Sequence, residues 1–296
     1  MERWSEFYKR KIKISSRKKM KIISKLFITI CIIILNACSA NISETNSFTI
    51  SGSDTMFDLT SNLAAEYMKE HPGISINVIG GGTASGIRDL IKGQTDICTA
   101  SRNLKPDEAK ALADYYNSLG MVFLIAKDGL SIYLHPENNV KNLSMSQLKN
   151  IFNGKINNWK VLGGKDTVII PVIRNPNSGT YLYFKEHVLE DEEYSSNCLI
   201  EPTTKEIAKF VSEHRNAIGY GGMGYSLNVF NAVVNGVEPL EKNIQNDTYP
   251  ISRYLHFFTT KNPKGLIKNF IDWALSPAGQ IVVRQSGYIP LWENKL

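Results

Sequence analysis

Cysteine is scarce in this chain of 296 residues, which contains only four. There is no CxxC motif, and the five histidines are scattered without shared helical spacing, so we predict neither a metal site nor a cofactor. Cys98 ends an apolar run and is expected to be a buried thiol. A disulfide between Cys98 and Cys198 in an oxidising compartment is the alternative.

Long apolar runs are also lacking after the N-terminal segment. Residues 26–35 form an apolar stretch that is too short for a comfortable membrane span, and it follows Lys21 and Lys25. A short apolar stretch behind positive charge is typical of a secretory signal peptide. We therefore assign residues 1–37 to a leader, with Met20 as an alternative start, and residues 38–45 to a tether.

The leader ends at the sequence LNAC, in which a small residue precedes Cys38 after an aliphatic run. This pattern resembles the lipobox of bacterial lipoproteins and predicts lipidation of Cys38. The alternative is an uncleaved N-terminal anchor. The lipoprotein interpretation places the rest of the chain outside the cytoplasm, anchored by lipid to the outer face of the cytoplasmic membrane, in the periplasm or at the cell surface.

Excess positive charge is missing once the leader is set aside. Residues 1–37 hold ten of the 34 Lys and Arg residues and two of the 28 Asp and Glu residues, so the remainder has a net charge of −2. Nucleic-acid binding, which depends on a basic surface, therefore loses its main support. About 259 residues remain, enough for one large or two medium domains.

Strand-like and helix-like segments alternate through the remaining chain. Apolar and β-branched runs predict strands at 48–51, 74–79, 95–102, 121–125, 130–134, 168–173, 217–225 and 254–259. Apolar residues at helical spacing predict helices over 57–70, 87–92, 106–119, 144–152, 180–189, 204–213, 263–275 and from 277 onward. This alternation predicts the α/β class with largely parallel sheets.

Three strand-to-helix junctions carry hydroxyl, glycine and arginine chemistry. They read GSDTM at 52–56, GGGTASG at 80–86 and RNPNSGT at 174–180. A helix N-terminus offers unpaired backbone N–H groups to an anion, and an arginine adds a planar pair of donors. Any one junction could be an ordinary capped turn, but the carboxyl ends of strands in such sheets converge on one cleft. We therefore predict an oxyanion site between two lobes.

These junctions occur in order with DICTASR at 96–102, IFNG at 151–154 and AIGY at 217–220. Together they resemble the phosphate-binding proteins of bacterial phosphate ABC transporters, over nearly all of the chain after the leader. The resemblance implies a two-lobed type II periplasmic-binding-protein fold with two hinge crossings, near Ile125 and Tyr254. Lobe one would comprise residues 46–125 and 255–296, and lobe two residues 126–254.

The resemblance also implies the ligand contacts. The positions that match the family are Thr55, Met56, Thr83, Arg174, Ser178, Gly179 and Thr180. We add the hydroxyls of Ser85, on the glycine-rich loop, and Ser101, at the end of the third predicted strand. Many family members carry an aspartate where this chain has Arg102, and that carboxylate accepts the proton of phosphate and excludes sulfate. We predict that Asp54 supplies the acceptor here, with Arg102 as a second cationic contact or as the partner that orients Asp54. The alternative is that the site has no acceptor carboxylate and that its selectivity over sulfate is weak.

The implied function is capture of inorganic phosphate by a monomer and its delivery to a membrane permease. A binding protein for another oxyanion or for a phosphate-bearing small molecule is the alternative, and so is a sensor or adhesin of the same fold. A secreted hydrolase with Ser178 as nucleophile is disfavoured, because the sequence has no Gly-x-Ser-x-Gly motif and no histidine near the three junctions.

Overall fold

The computed structural model describes residues 46–226 and 228–292, so the predictions for the leader, Cys38 and the tether lie outside the described residues. The strands are β1 Asn46–Gly52, β2 Ile74–Ile79, β3 Ile97–Ala100, β4 Met121–Leu134, β5 Asn142–Leu143, β6 Ile170–Arg174, β7 Leu199–Glu201, β8 Ala217–Gly222, β9 Phe230–Asn231, β10 Val233–Val234 and β11 Ser252–Thr259. The helices are α1 Phe57–Glu70, α2 Thr83–Ile91, α3 Pro106–Tyr116, α4 Met145–Phe152, α5 Gly179–His187, α6 Thr204–Glu213, α7 Glu241–Gln245, α8 Gly265–Ala274 and α9 Pro277–Gln285.

Local sequence explains several helix boundaries. Ser144 and Thr203 accept backbone N–H groups at the starts of α4 and α6, and a glutamine or glutamate three residues later bonds back to each cap. Such reciprocal capping satisfies donors that have no partner inside the helix. Pro106 stands in the first turn of α3, where its missing N–H costs nothing.

One mixed sheet holds nine strands of the described chain, in the order β2-β1-β3-β11-β4-β8-β6-β7 with β9 beside β4. The α/β class is confirmed. Parallel pairing joins β1 to β2 and β3, and it also joins β6 to β7 and β8. Antiparallel β4 and β11 connect these two groups. The expectation of largely parallel pairing therefore holds for the two outer groups only.

Two large apolar clusters divide the core along β4. Ile125 and Ala126 pack in a cluster with β1, α1 and α8, whereas Leu130 and the residues after it pack in a cluster with α4, α5 and β8. In β11, Leu255 belongs to the first cluster, and the preceding Ile251 belongs to the second. The lobe boundaries remain a prediction. The division of the core into two apolar clusters supports that prediction.

The pairing of β4 with β11 is irregular at one point. The register shifts between Leu255 and His256, where the facing residues on β4 change from Ala126 to Leu124. Ile125 is the extra residue, so β4 carries a bulge of the kind that bends a strand and increases its twist. The two predicted apolar runs of this region are thus parts of one continuous strand, with Asp128 inside it.

Candidate functional site

The first junction follows β1. Thr55 and Met56 lie in a 3₁₀ turn, and both are buried. The Thr55 hydroxyl lies 2.8 Å from the hydroxyl of Thr180, which ends the third junction in the first turn of α5. The side chain of Met56 packs in the lobe-one core, and its N–H donates to the carbonyl of Ser53 at 3.0 Å. The Thr55 side chain is therefore directed toward α5, whereas Met56 packs in the apolar core.

The glycine-rich junction leads directly into α2. The structure starts this helix at Thr83, four residues earlier than predicted, because Ser85 and Gly86 already donate their N–H groups to the Gly82 carbonyl. The Thr83 hydroxyl lies 3.5 Å from the Ser101 hydroxyl and accepts the Ser101 N–H at 3.3 Å. The hydroxyls predicted from two separate loops of lobe one are thus neighbours.

The third junction follows β6. Arg174 ends the strand, and Ser178 caps α5 by accepting the N–H groups of Thr180 and Tyr181. Both Ser178 and Thr180 are buried. Each hydroxyl retains its own hydrogen, because a serine or threonine oxygen can accept and donate at the same time.

The helix α5 begins close to the lobe-one hydroxyls. A β-carbon added at Gly179 would lie 2.4 Å from the Thr83 hydroxyl oxygen and 2.6 Å from that of Ser101. Glycine is therefore required here for the backbone of α5 to approach α2 and the end of β3. The N-terminus of α5, which is positively polarised, is aimed at this group of hydroxyls.

Arg174 is the central cation of the site. Its side chain is 1% exposed, and one terminal nitrogen donates to the Asp54 carboxylate at 2.6 Å. The other terminal nitrogen donates to the hydroxyl of Thr204 at 3.0 Å. The Nε atom is buried and has no hydrogen-bond partner among the described residues. A buried cationic donor without a partner is costly, so this atom is a candidate contact for a bound ligand.

Asp54 supplies the acidic group of the site. One carboxylate oxygen accepts the N–H of Gly81 at 2.8 Å, and the other accepts the bond from Arg174. The backbone carbonyl of Asp54 accepts the phenol of Tyr225 at 3.1 Å. The carboxylate is thus fixed between the first two junctions and the lobe-two arginine.

The predicted interaction of Arg102 with Asp54 is wrong. The Arg102 guanidinium makes a two-bond contact with Glu108, at 2.7 and 2.8 Å, and also donates to the Asn103 carbonyl. Glu108 lies in the first turn of α3, where its carboxylate also caps the backbone at Lys105. A planar pair of donors matches a carboxylate, so Glu108 takes the place that was predicted for Asp54. A cationic contact of Arg102 with the ligand stays a prediction.

Ser85 also has a protein partner. Its hydroxyl oxygen accepts a bond from Arg88 at 2.9 Å, one turn later on α2. The structure therefore brings together Asp54, Thr55, Thr83, Ser101, Arg174, Ser178, Gly179 and Thr180. Ser85, Met56 and Arg102 are held in other interactions.

Several residues that the sequence analysis did not predict form hydrogen bonds with the site residues. Thr204 bonds Arg174, and the phenol of Tyr288 donates to the Thr55 carbonyl at 2.5 Å. Burial raises the pKa of the tyrosines Tyr225 and Tyr288 well above the usual range, so both phenols stay protonated donors. A buried ion pair joins Asp128 to Arg253 nearby. The sequence feature that could have indicated this pair is the single aspartate, Asp128, inside a long apolar run.

Both remaining cysteines are free thiols, and the alternative disulfide is excluded in this structure. Burial raises the pKa of the Cys198 thiol to about 11, so it is protonated at neutral pH. The described residues contain no group of His, Cys, Asp and Glu side chains that could hold a metal ion. Among the same residues, no helix is both long and apolar enough to cross a membrane.

Comparison with known proteins identifies the family. A model of the PBP superfamily domain matches residues 39–278. The phosphate-binding protein PstS of Bacillus subtilis is 34% identical over 256 residues, which cover 84% of this chain and 82% of that protein. The PstS of Pseudomonas aeruginosa is 33% identical over 263 residues, which cover 81% of each chain.

Solved structures agree with these relatives. A protein described as a phosphate ABC transporter substrate-binding protein, solved with bound phosphate from Clostridium perfringens, has a TM-score of 0.78 and 34% identity; 83% of this chain and all of that chain are covered. A phosphate transport receptor from Vibrio cholerae has a TM-score of 0.68 and 31% identity over 82% of this chain and 99% of that one. The type II periplasmic-binding-protein fold is thereby confirmed. The chain belongs to the PstS family of phosphate-binding proteins, within the PBP superfamily.

Proposed function

We propose that this protein captures inorganic phosphate in the cleft between its two lobes and delivers it to the permease of a phosphate ABC transporter. The unpartnered, buried Nε of Arg174 is the observation that carries this proposal. It lies on a guanidinium that bonds Asp54 of the opposite lobe. Phosphate would complete the hydrogen bonding of a cation that the fold has already desolvated.

The proposed contacts come from both lobes: Asp54, Thr55, Thr83, Ser101, Arg174, Ser178, Gly179 and Thr180. Most of these groups are hydroxyls or helix N–H dipoles, and Arg174 adds one charge. A charge-assisted hydrogen bond contributes roughly 1.5–3 kcal/mol, and micromolar affinity needs only about 8 kcal/mol. One arginine with several neutral donors is therefore sufficient for tight but reversible binding.

Closure of the lobes is the proposed binding step. The contacts of Asp54 with Arg174 and of Thr55 with Thr180 join residues from the two predicted lobes. A ligand that is held by both lobes favours the closed arrangement over the open one. A permease could then recognise the closed form. Lipid on Cys38 would keep the monomeric protein beside that permease.

A transport role fits the chemistry better than hydrolysis. The Ser178 hydroxyl accepts two backbone N–H groups as a helix cap. Among the described residues no histidine hydrogen-bonds to it, so the general base that an activated serine requires is not supplied. The hydroxyl remains suited to donating a bond to a bound oxyanion.

Calorimetric titration of the soluble protein from Ser39 tests the proposal. Phosphate should bind with micromolar or tighter affinity, while sulfate gives no heat above dilution. Arsenate, with the same shape and protonation as phosphate, should compete, and a phosphate ester should not. Absence of phosphate binding, or equal affinity for sulfate, would reassign the protein to another ligand within the same fold.

Selectivity over sulfate is proposed to depend on Asp54. Each carboxylate oxygen already accepts one bond, which leaves a lone pair that can accept the proton of hydrogen phosphate. Sulfate has no proton at neutral pH and would meet an unpaired acceptor. Asp54→Asn should weaken phosphate binding and let sulfate compete. Sulfate exclusion equal to that of the wild type would remove Asp54 from this role.

A further inference from the structure

The two strands that connect the lobes share a buried ion pair. Asp128 of β4 and Arg253 of β11 stand directly opposite each other in the antiparallel ladder. Their side chains are 0% and 2% exposed, and two guanidinium nitrogens donate to one carboxylate oxygen, at 2.9 and 3.0 Å. Arg253 lies between Ile251, which directly precedes β11, and Leu255 of β11, and these two residues belong to different apolar clusters.

Folding stability alone does not explain why two charged residues occupy these buried positions. Taking two charges out of water costs several kcal/mol per ion, and an apolar pair of similar volume is often as stable or more stable. What distinguishes the charged pair is the set of additional bonds that it makes.

Arg253 holds one segment from each lobe. Its remaining terminal nitrogen donates to the carbonyl of Ser101 at 3.3 Å, in lobe one. Its guanidinium also lies over the ring of Tyr183 in lobe two, 5.3 Å from the ring centre. Tyr183 is one turn along α5 from Gly179. Both segments carry proposed phosphate contacts, so the guanidinium bridges them from the hinge side.

Asp128 holds the end of β8, where Gly222 lies close to both Asp128 and Thr55. Its second carboxylate oxygen accepts the N–H of Met223 at 3.1 Å. A β-carbon added at Gly222 would lie 3.1 Å from both carboxylate oxygens and 3.1 Å from the Thr55 methyl group. The carbonyl of Gly222 accepts the phenol of Tyr133 at 2.5 Å. The carboxylate is therefore enclosed by groups of both lobes.

We infer that the Asp128–Arg253 pair is a positioning element that aligns Ser101, Thr55 and α5 for phosphate in the closed cleft. The pair contacts none of the atoms that are proposed to bind phosphate. It acts through the backbone segments that carry those atoms. This inference rests on the proposed phosphate function. Without the pair the lobes still fold, but the aligned arrangement becomes a smaller fraction of the ensemble, and apparent affinity falls by that fraction.

The test is the double variant Asp128→Leu with Arg253→Met, which replaces the pair by apolar side chains. Unfolding in urea should show stability equal to or above that of the wild type, whereas the phosphate dissociation constant should rise at least tenfold. Small-angle scattering of the unliganded double variant should give a larger radius of gyration than the wild type. The matched control is Arg284→Gln with Glu241→Gln, an exposed ion pair between α9 and α7 that contacts none of the cleft segments; it should leave all three measurements unchanged.

A phosphate dissociation constant within twofold of the wild type in the folded double variant would overturn the inference. If the double variant does not fold, Arg253→Lys decides, because it keeps the charge but loses the planar contact to Asp128 and Ser101. Wild-type affinity in folded Arg253→Lys would then overturn it. If the wild-type protein itself does not bind phosphate, the proposed function is wrong. The positioning role is tested separately by the scattering measurement, because an unchanged radius of gyration in the double variant would contradict it whether or not phosphate binds.

Discussion

At the scale of single residues, Arg174 combines near-complete burial with a donor that lacks a partner. Two of its three nitrogens are satisfied by Asp54 and Thr204, and Nε is not. A buried polar atom of this kind normally has a hydrogen bond, and its exception calls for a ligand or a functional role. In the proposed site, Arg174 would bind phosphate mainly through the fixed direction of its Nε–H, because Asp54 already balances its charge.

Arg174→Lys should lower phosphate affinity roughly 10- to 100-fold, the equivalent of about 1.5–3 kcal/mol for one lost charge-assisted bond. A lysine amine is a single point of charge, so it cannot hold Asp54 and Thr204 and also present a third donor in a fixed plane. Calorimetry measures the change, and Arg215→Lys, at an exposed ion pair, is the control. Unchanged affinity in Arg174→Lys would argue against a direct contact.

His256 gives the protein a pH-dependent stability. Burial lowers the pKa of His256 to about 4, and the charge of Arg253 acts in the same direction. An unfolded histidine has a pKa near 6.5, so below that pH the unfolded state binds a proton that the folded state does not. Stability from this group is complete above about pH 6.5 and is lost as the pH falls toward 4.

The His256→Gln variant isolates this effect. Between pH 7 and pH 4.5 the wild type should lose roughly 2 kcal/mol more unfolding free energy than the variant, since glutamine does not titrate. Urea unfolding at both pH values measures the difference between the two proteins. Parallel pH dependence of wild type and variant would show that His256 is protonated equally in the folded and unfolded states.

Sequence reasoning at this scale succeeded where residues form a local motif. Arg174, Ser178 and Thr180 lie within seven positions of one another, at a strand-to-helix junction, and the structure brings them together. It failed for Arg102, because the competing partner Glu108 belongs to a helix cap whose strength the motif does not reveal. Thr204 and Tyr288 were missed because their contacts join segments far apart in the chain.

At the scale of elements, the helices were predictable in position and less so at their ends. The bounds of α1 and α6 agree with those expected from apolar spacing, whereas α2 begins at Thr83 instead of Ile87. Hydroxyl and glycine residues have low helix propensity, which hides a helical first turn. Residues 121–134 were expected as two apolar runs, because Lys127, Asp128 and Gly129 interrupt the pattern. Lys127 pairs with Asp247 and Asp128 pairs with Arg253, so a single strand can continue through these two charged residues.

The start of α5 provides a test at this scale. Gly179→Ala should raise the intrinsic stability of the helix slightly, because alanine is the better helix former. Its methyl group would clash with the hydroxyls of Thr83 and Ser101, so α5 could not approach lobe one. We expect at least tenfold weaker phosphate binding with little change in unfolding free energy. Asn269→Ala, at an exposed position of α8, is the control, and wild-type affinity in Gly179→Ala would contradict the close approach.

At the scale of the whole molecule, two groups of parallel strands are joined through antiparallel β4 and β11. The alternation of strands and helices predicted the α/β class, but it carries no information on which strands cross between the groups. That arrangement depends on pairings between residues more than a hundred positions apart, such as Asp128 with Arg253. The family resemblance, and not periodicity, supplied the expectation of two crossings.

Phosphate should stabilise both lobes together, because the residues proposed to bind it are divided between the two lobes. At a phosphate concentration about 100 times the dissociation constant, the free energy of unfolding should rise by about 2.7 kcal/mol. Scanning calorimetry with and without phosphate measures this shift, with sulfate as the control anion. If the lobes unfold in two transitions, phosphate should move the first of them upward, since loss of either lobe destroys the site. A first transition that phosphate leaves unmoved, with only the second displaced, would mean that one lobe binds the anion alone.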